Sequence, residues 1–221
     1  MKILRSGLDV IKENRVAYII LNVAYYGLVI CGMVFVAFVP SVQQTLLALI
    51  GDAFTSGPLA AVGSAYSGGE ILKAMALTFV VNLFMGTVLV ITLPSMVIPF
   101  SGLLMGVVRA IMWGLLLSPA APELRLAMIP HSVTLILEGQ GYILALLAVY
   151  AHGKAFLFPR SVGVEAQGSG VERVARLALG GYWAGVKHTA RLYVLVVIVL
   201  AVAAIYEALE VILFPALVGA L

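Results

Sequence analysis

Val16 to Val39 is an apolar run without a single charged side chain, and a second run, Met75 to Leu117, carries Arg109 as its only charge. About 20 apolar residues in helical form cross the hydrocarbon of a bilayer, and inside it a backbone must satisfy its own hydrogen bonds. The first run is therefore one span, closed by Pro40. It is far longer than the roughly 7–15 residues of a cleaved signal core, and Asp9 and Glu13 interrupt the basic lead-in, so it reads as an uncleaved span. The second run is too long for one span and too short for three. Pro94 and Pro99 supply the connection, giving spans at 71–93 and 102–117. Pro119, Pro122 and Pro130 mark the next loop. Two further apolar runs give spans at 131–150 and 192–214.

Composition agrees. Hydrophobic residues are 63% of the chain and charged ones 10%, against roughly 25% charged in an average soluble domain. So little charge cannot clothe a folded surface in water. The expected fold is all-α, a polytopic membrane helix bundle of about five transmembrane helices in one domain, 1–221, with lipid as its principal partner.

The segments between spans are amphipathic or flexible. Residues 1–15 place Ile3, Leu4, Leu8 and Ile11 at helical spacing between charges, an interfacial helix. Residues 41–70 form an external segment: Leu46, Leu47, Ile50 and Phe54 mark a short interfacial helix, and Ser56–Gly69 a loop rich in Gly, Ala and Ser. Residues 151–191 form a cytoplasmic loop. Within it, Val171, Val174, Leu177, Ala178 and Tyr182 oppose Glu172, Arg173 and Arg176 on a second amphipathic helix.

Charge placement sets the orientation. With the N-terminus inside, Lys2, Arg5, Lys12, Arg15, Lys154, Arg160, Arg173, Arg176, Lys187 and Arg191 are cytoplasmic, and only Lys73 and Arg125 are outside. That bias follows the positive-inside rule and puts the C-terminus outside, in a multi-pass protein of the cell membrane. The net charge of +3 needs no nucleic acid to explain it. Cys31 is the only cysteine, so neither an intramolecular disulfide nor a cysteine metal site can form.

Polar groups within hydrocarbon are costly and mark the candidate sites. They are Asn82, Arg109, His131, Glu138, Glu207 and Glu210. His131 and Glu138 are two turns apart on one helical face, with Glu138 about 10 Å deeper. Glu207 and Glu210 lie about 24 and 28 Å along the last span from Arg191, so all four belong to the outer half of the membrane. They serve either as a cation, proton or partner site, or as ties between helices. Arg109 is expected to snorkel to the inner headgroups, the alternative being a carboxylate partner. Gly102 and Gly106 form a GxxxG pair that permits close helix approach. No Walker loop, HExxH, GxSxG or Cys-His cluster is present, so no cofactor or resident metal is expected and no enzyme activity is assigned.

Four segments, in order, resemble the stage II sporulation protein M family of integral membrane proteins. Phe79-Val80-Val81-Asn82 is similar to that family's F-x-x-N, and Ser101-Gly102-Leu103-Leu104-Met105-Gly106 to its N-G-x-x-x-G. Ile129-Pro130-His131 is similar to its L-P-H-G, and Ala203-Ala204-Ile205-Tyr206-Glu207-Ala208 with Pro215 to its closing A-A-x-x-E…P. Ser101 and Ser132 stand where the family has Asn and Gly. The family glutamate four residues after the histidine is Leu135 here, with Glu138 one turn later. The resemblance implies a non-enzymatic scaffold or assembly protein that positions other membrane or extracytoplasmic proteins, as the named member does with two peptidoglycan-processing proteins during engulfment. Read from the residues alone, the alternative is a small transporter or channel for protons, cations or a small solute, working as a homo-oligomer.

Overall fold

The computed structural model describes residues 2–218, with the side chains of Lys2, Glu123 and residues 215–218 left aside. Met1 and residues 219–221, the ends of the expected 1–221 domain, lie outside the described residues, as does the side chain of Pro215. The described chain is helical, without strands. In order come α1 (Lys2–Glu13), α2 (Arg15–Phe38), α3 (Pro40–Thr55), α4 (Ala60–Ser67) and α5 (Ile71–Val80), then a π-helical segment (Val81–Thr92). After it come α6 (Leu93–Val97), α7 (Ser101–Leu116), α8 (Met128–Leu157) and α9 (Gly170–Val218).

Four helical stretches are long and apolar enough to cross a bilayer: Arg15–Phe38, Ile71–Val97, Met128–Leu157 and Gly170–Phe214. A fifth arises if α3 and α4, bent by 86° at their junction, count as one broken span. The expected span at 102–117 is α7, only 16 residues, or about 24 Å of helix against a core of about 30 Å. It is nonetheless a full member of the bundle. Its Gly114 meets Val29 and Gly32 of α2, and beyond its end Ser118 Oγ donates to the Met33 carbonyl at 3.1 Å.

Contacts fix the directions. Arg109 lies near Tyr25 and Ser118 near Met33, so α7 runs parallel to α2. Lys154 meets Asn14, so α8 runs opposite to both. Thr134 meets Glu210 and Gly185 packs on His152, so α9 runs back antiparallel to α8. Asn14, Lys154 and His188 thus mark one end of the bundle, here the N-terminal end. His131, Glu210 and the α3–α4 pair mark the far end.

α8 is the axis of the bundle. Of its most apolar stretch 72% is buried, against 22% for α2, as befits a helix packed against neighbours on most sides. Tyr142, Ile143, Ala145, Leu147 and Ala148 are all fully inaccessible. Small residues let neighbours approach: a Cβ on Gly141 would lie 2.4 Å from Leu200 of α9, and one on Gly106 would lie 2.6 Å from Leu146.

Three expectations are corrected. The loop expected over Ser56–Gly69 contains α4, whose Gly63 sits on the Phe54 carbonyl so closely that a Cβ would lie 2.1 Å away. The tight connection expected between Pro94 and Pro99 is shorter, because Pro94 occupies the first turn of α6, where a proline needs no N–H partner. The reversal falls at Phe100, which adopts φ 69°. The amphipathic helix and last span, expected as separate elements at 171–182 and 192–214, are one helix of 49 residues.

Candidate functional site

Residues 131, 134, 138 and 142 recur at helical spacing on α8, so one polar stripe climbs the central helix. At its deep end is a hydrogen-bonded series spanning three elements. Arg109 of α7 donates through Nη2 to the Tyr142 hydroxyl. That hydroxyl donates to Asn82 Oδ1 at 2.7 Å, and Asn82 Nδ2 donates to Glu138 Oε1. The guanidinium carbon lies 3.7 Å from the Tyr142 ring centroid and 5.2 Å from that of Trp113. Tyr142 is fully buried, and Glu138 and Asn82 are buried at 6% and 8% exposure.

Local structure makes this arrangement possible. Asn82 is the second residue of the π-helical segment, a widened helix that often accompanies functional sites. One turn on, Gly86 leaves room for the phenol and the guanidinium: a Cβ there would lie 3.0 Å from Tyr142 Cε1 and 3.4 Å from Arg109 Nη1. Arg109 accordingly does not snorkel. It turns into the bundle, where aromatic faces and a hydroxyl replace water around the cation. Among the described residues no carboxylate pairs with it within ion-pair distance, and its Nε is buried without a partner.

A second group lies toward the far end. Glu210 Oε2 accepts from Thr134 Oγ1 at 2.8 Å and lies 3.2 Å from His131 Nδ1. Tyr206 donates to the Pro130 carbonyl at 3.2 Å. The side chains of His131 and Glu210 are 18% and 6% exposed. Glu207 lies between the groups, and the charged residues acting on it are Glu138, His131 and Glu210. Its Oε2 is buried without a hydrogen-bond partner. The six residues singled out by cost in hydrocarbon thus form one continuous polar strip. Among the described residues no three His, Cys, Asp or Glu side chains gather as a metal site.

Gly102 and Gly106 meet different neighbours. The Gly102 N–H donates to Ser95 Oγ at 2.6 Å, and a Cβ at this position would lie 2.2 Å from the Ile91 carbonyl oxygen. Gly106 rests on Leu146.

Sequence reading passed over several groups. Tyr142 bridges Arg109 to Asn82, and Thr134 holds Glu210. The Tyr25 hydroxyl is buried without a partner, with Arg109 and Glu138 as its charged neighbours. A lateral ladder joins α2 to α8: Tyr18 donates to Gln140 Oε1 at 2.7 Å, and Gln140 Nε2 donates to Asn22 Oδ1 at 2.6 Å. Tyr26 donates to the Ile136 carbonyl at 2.8 Å. Tyr18, Asn22 and Tyr26 stand four residues apart, a polar stripe along an apolar helix that was there to be read. No family model, curated protein or solved structure matches the chain.

Proposed function

We propose that this chain is a non-enzymatic scaffold or assembly protein of the cell membrane, of the kind implied by its resemblance to the stage II sporulation protein M family. What supports this reading above all is the closed series Arg109–Tyr142–Asn82–Glu138. Each member hydrogen-bonds to the next across three elements within a packed core, an arrangement suited to fixing helix positions rather than to lining a water path. The orientation proposed is N-terminus in the cytoplasm and C-terminus outside, on the strength of the basic residues gathered on α1, the α8–α9 connection and the first half of α9. The α3–α4 pair then faces outward, with Leu49 of α3 62% exposed. That is the surface offered to a membrane or extracytoplasmic partner, or to a second copy of the chain.

The second reading, a transporter or channel for protons, cations or a small solute, is favoured by Glu207. Its unpartnered Oε2 stands between buried Glu138 and the His131–Glu210 pair, and ionisable groups inside a membrane mark transport pathways by default. Purified protein in liposomes separates the two readings. The scaffold reading expects no proton or cation flux that differs between wild type and Glu138→Gln. Flux that Glu138→Gln abolishes would replace it with the transport reading.

A further inference from the structure

At the N-terminal end, α1, the α1–α2 junction, α8, the 3-10 turn Pro159–Val162 and α9 converge on a cleft of about 460 Å³, lined by Glu13, Asn14, Lys154, Ser161 and His188 among others. Its size is in the range of small-ligand sites, roughly 300–1,000 Å³. Its level in the bundle is informative. The apolar run of α2 begins at Val16, that of α8 ends just before Lys154, and that of α9 begins at Leu192. Three spans therefore leave the hydrocarbon at the height of the cleft, which is the headgroup layer of the leaflet at this end.

The polar groups in the cleft are under-used. Lys154 Nζ donates to Asn14 Oδ1 at 3.3 Å, which occupies one of the three donors of an ammonium group. His188 Nδ1 is buried without a hydrogen-bond partner. The charged groups acting on His188 are Glu13, Arg191 and Lys154. Glu13 and Lys154 line the cleft together with His188, and Arg191 adds a second positive charge close to it. An anion alone would meet repulsion from Glu13, and an amine alone would meet Lys154 and Arg191. A ligand carrying both charges a few bonds apart answers both.

We propose that this cleft binds the zwitterionic headgroup of an amine-bearing phosphodiester, with its phosphate toward Lys154 and His188 and its primary ammonium toward Glu13. Basic pockets between helices at the membrane surface hold lipid phosphates in this way. The carboxylate is what makes the site selective between headgroups. The proposal does not depend on the scaffold reading.

The test uses delipidated full-length protein in detergent micelles. It is titrated separately with phosphatidylethanolamine, phosphatidylglycerol, diacylglycerol and soluble glycerophosphoethanolamine, with binding read by native mass spectrometry and by the shift in thermal midpoint. Phosphatidylethanolamine should bind several-fold tighter than phosphatidylglycerol. Lys154→Gln should weaken phosphatidylethanolamine binding about tenfold, the scale of one charge-assisted hydrogen bond. Glu13→Gln should abolish the preference for phosphatidylethanolamine while leaving phosphatidylglycerol bound as tightly or more so. Glycerophosphoethanolamine binding as tightly as the lipid would assign the site to a soluble headgroup. Binding that needs the acyl chains would assign it to the bilayer, and either result upholds the headgroup chemistry. If Lys154→Gln proves unfolded by circular dichroism, His188→Gln serves in its place with the same expectation. Diacylglycerol binding as well as phosphatidylethanolamine, or wild-type affinity in a folded Lys154→Gln or His188→Gln protein, would overturn the proposal.

Discussion

Replacing Gly114 by alanine tests how α2 and α7 are held together. The added Cβ would lie 2.2 Å from the Val29 carbonyl oxygen and 3.0 Å from Gly32 Cα, whereas ordinary contact begins near 3.4 Å. The shortfall of about 1.2 Å falls on backbone, which cannot swing aside as a side-chain tip can, so the helices must separate. Overpacking of this kind costs about 3 kcal/mol, the upper part of its usual range. Gly32→Ala meets the same crossing from the other side, with its three nearest atoms all at 3.0 Å, and should cost about 1 kcal/mol. Once Gly114→Ala has parted the helices, the second methyl enters open space. The double variant should therefore be about as stable as Gly114→Ala alone, a coupling of about 1 kcal/mol. Gly27 is the internal control: it lies on α2 with nothing within 4 Å of where a Cβ would stand, and Gly27→Ala should be neutral or stabilise by up to about 0.5–1 kcal/mol through helix propensity. Unfolding in mixed micelles with rising dodecyl sulfate, followed by circular dichroism and by the fluorescence of neighbouring Trp113, gives the four free energies. Gly114→Ala matching wild type, or Gly27→Ala losing as much as Gly114→Ala, would refute the account.

Tyr142→Phe removes the hydroxyl between Arg109 and Asn82 and strands both, so it should lower stability in the same assay by about 2 kcal/mol. Tyr18→Phe, in the half-buried ladder to Gln140, should cost under about 1 kcal/mol, and equal losses would contradict the assignment of Tyr142 as the central bridge. Gln43 Nε2 donates to the carbonyls of Leu116 and Ser118 at 3.1 and 2.8 Å, so Gln43→Leu should loosen the segment after α7 and speed tryptic cleavage at Arg125 several-fold. An unchanged cleavage rate would argue against that tie. In a Cys31→Ser background, Ser56→Cys and Ser161→Cys should react with an impermeant maleimide from opposite faces of sealed vesicles, and reaction from one face would break the proposed topology.

Much of the fold follows from where charge is absent, because hydrocarbon leaves a backbone few alternatives to helix. The elements that departed from expectation did so through packing, which hydropathy does not measure. The Gly-, Ala- and Ser-rich stretch after Phe54 reads as a loop by composition, yet the same small residues let α4 lie on the end of α3. Gly180, Gly181 and Gly185 resemble a break before the last span, but a Cβ at each would collide with Val164, the Ala155 carbonyl and His152 respectively. They are close-approach positions within an unbroken helix. Among candidate residues, cost in hydrocarbon identified Asn82, Arg109, Glu138, Glu207, Glu210 and His131 one by one. It carried no information about who meets whom. Tyr142 escapes that criterion because a tyrosine in an apolar helix is a small expense, whereas Gln140 carries the same amide as Asn82 and satisfies the criterion equally; each joins neighbouring helices.

α9 runs for 49 residues, about 73 Å of continuous helix and more than twice the thickness of the hydrocarbon layer. Such a rod is a lever with its fulcrum in the bundle. Its first turns, with Val171 86% exposed, stand clear of α8, while Glu207 and Glu210 ride on its opposite arm. One unbroken helix thus ties the exposed turns at one end of the bundle to the carboxylates near the other.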